Sequence, residues 1–236
     1  MPRPLPNPAL FPPFVAQHTL AFEATPGDPQ ALFPDEELPA SLASAVPKRR
    51  LEFLAGRYCA RQALRRCSVN QAADPIAVGP HREPVWPAGI VGTITHAHGY
   101  ASAAVARATD LKSLGLDAES WMDAERAVEL SAMIAAEPEI AVVQGGLGLS
   151  FARALTLIFS AKEAIFKCLF PEVGRYFDFR DAAVISANEP GAFSAELLVP
   201  LAPSLPAGWR LDGRFEFDEQ GVRTGTMVLP ADSPGT

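Results

Sequence analysis

The spacing of apolar residues changes several times along the chain, and each change marks an element. In PKRRLEFLAGRYCARQALRR (47–66) apolar residues recur every three or four positions behind Pro47. That places them on one side of a helix, where a first-turn proline costs no hydrogen bond and Ala, Leu and Arg favour the helical state. Helical spacing returns in WMDAERAVELSAMIAA after Ser120, where Glu137-Pro138 ends it, and in a long run from about Phe151 to Phe170. Elsewhere the period falls to two. HTLAFEA (18–24), the two runs of IVGTITHAHGYASAAVA (90–106) around a His/Gly turn, and KSLGLDAES (112–120) predict strands. So do AAVISA, AFSAELLV, WRLDGRFEFD and RTGTMVL, which Glu189-Pro190-Gly191 and Glu219-Gln220-Gly221 help to divide into an antiparallel meander.

Three stretches lack such a pattern. Residues 1–45 are rich in proline and read as an extended lead-in carrying one strand, without chemistry of its own. NQAADPIAVGPHREPVWPAG (70–89) reads as loop, and EIAVVQGGLGLS (139–150) as a flexible hinge. The order helix, strands, helix, helix, strands predicts an α+β fold of two similar lobes, 1–108 and 109–236, rather than a doubly wound sheet.

A net charge of −7 opposes a nucleic-acid footprint, although 48–66 gathers a large share of the basic residues. Cys59, Cys67 and Cys168 have no CxxC spacing, so neither a zinc site nor a disulfide framework is expected, and a reducing, cytoplasmic setting fits. Prolines break the N-terminal apolar residues, which disqualifies them as a signal peptide, and no run reaches the ~18 apolar residues of a membrane span.

On the strand LGLDAE, Asp117 and Glu119 point to one side, a pair suited to a hard divalent cation; a solvent-facing edge strand would look the same. On the helix holding FSAKEAIFKCLF (159–170), Ile158, Ala161, Ile165, Cys168 and Leu169 fill one arc, and Phe159, Glu163, Phe166, Lys167 and Phe170 the opposite one. A helix apolar on both sides is normally buried, and charges on a buried face are costly unless paired or bound to a ligand. His96 and His98 suit a metal pair, a phosphate contact or a structural turn; Arg49, Arg57 and Arg61 lie along one flank of their helix, as a phosphate grip or as solvated charge. QGGLGLS matches neither common phosphate-loop pattern.

Taken in order, GLDAE (115–119) and FSAKEAIFK (159–167), preceded by RRLEFLAGRYCAR, REPVWPAG and ITHAHGYASAAVA, resemble the 4'-phosphopantetheinyl transferases of the surfactin- and enterobactin-synthetase-activating type over about residues 47–185. The resemblance implies a pseudodimer of two α+β lobes with coenzyme A in the cleft between them. It implies transfer of phosphopantetheine from coenzyme A to a serine of an apo acyl or peptidyl carrier protein, releasing 3',5'-ADP. Two lobes in one chain remove the need for a dimer, so a monomer is expected, and charge and hydropathy predict neither a nucleic-acid nor a membrane partner. Asp117, Glu119 and Glu163 would hold Mg2+, with Mn2+ as the other metal compatible with that set. Lys167, with Lys162 as a second candidate, would sit beside the pyrophosphate, and Glu163 or a water held by the metal would take the serine proton. His96, Arg49, Arg57 and Arg82 would grip the 3'-phosphate and neighbouring oxygens. Phe166 stands where relatives commonly have Tyr, and 131–151, which helps recognise the carrier in that family, is unusually rich in Ala, Gly and Val. The competing readings are a metal-dependent phosphohydrolase using the same three carboxylates and a non-catalytic coenzyme A or nucleotide binder.

Overall fold

The computed structural model describes residues 2–23, 28–67, 75–97, 99–188 and 191–230 of the 236-residue chain. The chain divides into two units, one holding Pro12–Lys112 with the segment up to Asn7, the other Ser113–Leu229 with Pro8–Phe11.

In the first unit, strands β1 (Arg3–Leu5), β2 (Ala16–Ala21), β5 (Ile90–Ala97) and β6 (Tyr100–Arg107) form an antiparallel sheet in the order β1-β2-β6-β5. Helix α1 spans Pro47–Arg66 with Pro47 in its first turn and packs on β2, β5 and β6. Its buried face, including Leu51, Leu54, Ala55 and Ala60, meets Leu20, Ala101 and Ala103 of the sheet and Phe33 of the lead-in. Within 70–89, read as loop, the structure places a two-residue hairpin, β3 (Ala77–Val78) against β4 (Pro84–Val85), strands too short for a period to show.

The second unit holds β7 (Ser113–Ser120), helices α2 (Ala124–Ile134), α3 (Glu137–Leu147) and α4 (Phe151–Val173), then β8 (Ala182–Asn188), β9 (Ala192–Leu197), β10 (Arg210–Phe217) and β11 (Gly221–Val228). The expected meander is present, and β7 adds to it beside β11, giving β7-β11-β10-β9-β8. Helix α4 lies on β7 and β11, and α2 and α3 pack against α4. Asp123 and Ser150 cap α2 and α4, each accepting a hydrogen bond from the backbone N–H three residues on.

The hinge expected at 139–150 is replaced by most of α3, which ends at a left-handed Gly148. Gly146 serves packing rather than flexibility, because a Cβ there would stand 2.1 Å from the Ala187 carbonyl oxygen of β8. The lead-in also does more than expected: Ala9 donates its N–H to Glu216 Oε1 on β10, and Leu10 and Phe11 lie against Gly225 of β11. Cys59, Cys67 and Cys168 are all unbridged thiols. Among the described residues no single helix is long and apolar enough to cross a membrane.

Candidate active site

Asp117 and Glu119 share the side of β7 that α4 covers. On that side Ser113 Oγ lies 3.4 Å from Cys168 Sγ of α4. Gly115 lies directly beneath the helix, for a Cβ there would come within 1.8 Å of the Ala164 carbonyl oxygen. The glycine of GLDAE therefore sets how closely helix and strand approach, which brings Lys167 Nζ to 2.7 Å from Asp117 Oδ1 and 3.2 Å from the Leu116 carbonyl oxygen. The motif serine adds a further tie: Ser160 Oγ lies 2.9 Å from Thr224 Oγ1, both fully buried, and Thr224 is the cross-strand partner of Asp117. The edge-strand alternative is only half met. β7 is an edge strand, yet its acidic side is covered by a helix.

The two arcs of α4 separate as their spacing predicts. Ile158, Ala161, Ile165, Cys168 and Leu169 are buried, whereas Phe159, Glu163, Phe166, Lys167 and Phe170 are half-buried. Burial, with the Asp117 charge beside it, pushes the Glu163 carboxyl above its ordinary value, while Lys167 pulls it back. For Glu119, burial and then Asp117 and Glu163 outweigh Lys167 and raise the carboxyl to about 8. Three carboxyls from β7 and α4 thus feel one another as like charges, with one ammonium among them.

Among the described residues no three His, Cys, Asp or Glu side chains already close on a common point as a finished metal cage would. The donor set nevertheless fits a hard divalent cation: it is all carboxylate oxygen, partly desolvated, and carries more negative charge than Lys167 offsets. Burial raises Glu119 and Glu163 most, and such a cation would relieve the like-charge repulsion that adds to it.

Lys162 does not join this group. It is 3% exposed, and its ammonium donates to Glu139 Oε2 at 2.9 Å and to the carbonyl oxygens of Ile134 and Phe179 at 2.8 Å each. All three donors are used within the fold, so the expected contact of Lys162 with a pyrophosphate is corrected to a structural tie. The partner, Glu139, lies in the stretch whose composition predicts a flexible hinge. No spacing signal links it to Lys162.

Along the half-buried arc, Phe166 stacks on Tyr176 with centroids 5.5 Å apart and planes 18° apart, and approaches Phe170 and Phe177 at 5.4 and 5.0 Å. Phe166, which stands where the resembled family commonly has Tyr, thus has a phenol-bearing ring beside it, a neighbour ten residues on that no spacing signal links to it.

In the first unit, Arg49 Nη1 donates to His96 Nε2 at 2.7 Å, joining two of the expected phosphate contacts. Glu52 stands behind them, 3.8 Å from Arg49 Nη1 and 3.7 Å from His96 Nδ1. Arg57 is 6% exposed, its guanidinium lies 4.9 Å over the Phe53 ring, and its Nη1 has no hydrogen-bond partner among the described residues. Burial lowers it to about 10, with the Glu36 charge opposing. Arg61, one turn on, is occupied instead by Glu36 at 2.6 Å, so the cationic flank of α1 is not uniform. Arg82 is exposed in the turn between β3 and β4 with φ of 69°, and nothing described joins it to Arg49, Arg57 or His96. His98 lies outside the described residues.

Two family models match, the 4'-phosphopantetheinyl transferase N-terminal domain over residues 36–106 and the 4'-phosphopantetheinyl transferase superfamily over 113–211. The chain is 40% identical to the 4'-phosphopantetheinyl transferase Svp of Streptomyces mobaraensis, covering 84% of this chain and 78% of that protein. It is 35% identical to the 4'-phosphopantetheinyl transferase PptT of Mycobacterium tuberculosis, covering 89% and 92%. It is 38% identical to enterobactin synthase component D of Escherichia coli, covering 64% and 68%.

Proposed function

Because the chain belongs to the 4'-phosphopantetheinyl transferase superfamily, we propose that it moves the 4'-phosphopantetheine of coenzyme A onto a serine hydroxyl of an apo acyl or peptidyl carrier protein, giving holo carrier and 3',5'-ADP. The observation that carries the site assignment is the meeting of Asp117 and Lys167, 50 residues apart in sequence, with Glu119 and Glu163 in their field.

In this reading Asp117, Glu119 and Glu163 would hold a divalent cation, Mg2+ or Mn2+. That ion would supply charge compensation on the pyrophosphate and the departing 3',5'-ADP. Lys167 donates to a pyrophosphate oxygen from the place where it now meets Asp117. The Glu163 carboxylate accepts the proton of the carrier serine, whose oxygen forms the new P–O bond as the bond from the same phosphorus to 3',5'-ADP breaks. The aromatic group of Phe166, Phe170, Tyr176 and Phe177 offers an apolar surface for the pantetheine arm.

Arg49, Arg57 and His96 take the 3'-phosphate end, with Arg57 the strongest member because its buried Nη1 is unsatisfied within the described protein. Arg82, exposed in its turn, has no structural support for that role. The two units each set one long helix on an antiparallel sheet, which supports reading them as two related lobes.

The test is the intact mass of an apo carrier protein after incubation with this protein, coenzyme A and Mg2+. A gain of about 340 Da, the mass of the transferred group, is expected. Breakdown of coenzyme A without a carrier present would favour the hydrolase reading instead.

A further inference from the structure

Lys162 is the first lysine of FSAKEAIFK, and the catalytic scheme leaves it without a part. Its surroundings are nonetheless closely tied. One ammonium joins the carbonyl of Ile134 at the end of α2, the Glu139 carboxylate on α3 and the carbonyl of Phe179 just before β8. The other oxygen of Glu139 accepts the Val184 N–H of β8 at 2.8 Å. Arg180 Nη1 adds bonds to the carbonyls of Ala132 and Ala135, at 3.0 and 3.3 Å, around the end of α2. Phe179 is held twice, by its carbonyl to Lys162 and by its ring, 5.3 Å from that of Phe159. Phe159 lies one turn before Glu163 on the same arc of α4.

A buried lysine is an expensive way to fasten a helix, since apolar residues of similar volume often stabilise as well or better. What an apolar contact does not supply is a fixed rotation. Three directional bonds from one ammonium set both the turn of α4 about its axis and its position along it, and the next residue, about 100° around, is Glu163. We propose that Lys162, with Glu139 as counter-ion, is a positioning residue that fixes the rotation of α4 so that Glu163 faces Asp117 and Glu119 as a metal ligand. This rests on the reading of Glu163 as a ligand of the divalent cation.

The experiment measures Mn2+ binding to the full-length protein, by loss of the free-ion electron paramagnetic resonance signal, for wild type, Glu163→Gln, Lys162→Met and Glu139→Gln, with thermal melts alongside. Lys162→Met is expected to lower Tm by roughly 10 °C, as removal of one member of a buried ion pair does. Well below that Tm it should raise the Kd for Mn2+ about tenfold, the effect of a misaligned ligand. Glu139→Gln, which keeps the side-chain length and loses only the charge, should raise Kd about threefold and stands in if Lys162→Met does not fold. A purely structural lysine would lower Tm and leave Kd within twofold of wild type, and that result overturns the proposal. Wild-type Mn2+ affinity in Glu163→Gln would overturn the ligand reading first, and the positioning role with it.

Discussion

Helix α4 carries two lysine–carboxylate pairs of nearly equal length and opposite character. Lys162 meets Glu139 at 2.9 Å and Lys167 meets Asp117 at 2.7 Å. The first lysine side chain is 3% exposed and the second 27%. Lys162 has one carboxylate in contact and two carbonyls that use its remaining donors, so charge and hydrogen bonding both close. Lys167 stands among Asp117, Glu119 and Glu163, and one ammonium would not offset all three in their ionised forms, so burial and like charge keep Glu119 and Glu163 towards protonation. Distance alone therefore does not separate a pair that holds the fold from one that does chemistry; the local sum of charge does. On α1 the contrast is one of charge alone: Arg61 has Glu36 as counter-ion at 2.6 Å, whereas Arg57 has no carboxylate in contact among the described residues, and each keeps one buried guanidinium nitrogen without a hydrogen-bond partner there.

The largest expected effect falls on the open pair. Asp117→Asn should cut carrier modification by about 10^3-fold, the scale for losing a main electrostatic element of a transition state, and should leave Tm unchanged or higher because a repelling charge is gone. A mass-spectrometric rate and a melting curve on the same sample check both halves. A large fall in Tm would mean that Asp117 belongs with Glu139 as a structural acid.

Lys167→Met should lower the rate by about 10^2-fold with coenzyme A saturating. Arg57→Ala should raise KM for coenzyme A by roughly ten- to a hundredfold with little change in kcat, the cost of one charged hydrogen bond in binding. Steady-state kinetics separate the two, and an Arg57 effect confined to kcat would remove it from the phosphate grip. On the closed pair, Glu139→Gln should cost about 3 kcal/mol and some 6–12 °C in Tm, with the rate at saturating metal within about threefold of wild type.

The smallest effect is a pH dependence. Burial and like charge raise Glu119 to about 8 from an ordinary value of 4.5, and Glu163 upwards as well. The fold thus favours their protonated forms. Their contribution to stability is complete below the ordinary carboxyl value and is lost as pH rises through about 8. A divalent cation binds the ionised forms, so the rise in Tm produced by saturating Mg2+ should be small near pH 6 and greatest at about pH 9. Melting curves with and without metal test this, and a shift that shrinks as pH rises would contradict the shared carboxylate site.

Much of the architecture was legible because period and punctuation agreed. Pro47 and the apolar spacing behind it gave α1 its limits, and the alternating runs after Asp181 gave the meander. Helix α3 was lost for a specific reason: Gly145 and Gly146 look like a hinge, and nothing local reveals that Gly146 lies against a carbonyl of β8. The wheel separated the arcs of α4 correctly, because burial follows the 100° step. It did not distinguish Lys162 from Lys167, whose fates depend on partners 23 and 50 residues away. Arg82 is a basic residue near a recognisable block that the backbone leaves exposed in a turn, a placement that its neighbours in sequence do not reveal.

Gly115 carries a consequence for engineering. The separation between β7 and α4 is held at the minimum that a hydrogen atom permits, so substitution at this position can only widen it. Because the clash is with backbone atoms of α4, widening draws Lys167 off Asp117 and loosens the packing of helix on strand together. Gly115→Ala should therefore lower turnover and Tm in step, so the one atom missing from this glycine ties the working distance of the acidic strand to the integrity of the layer behind it.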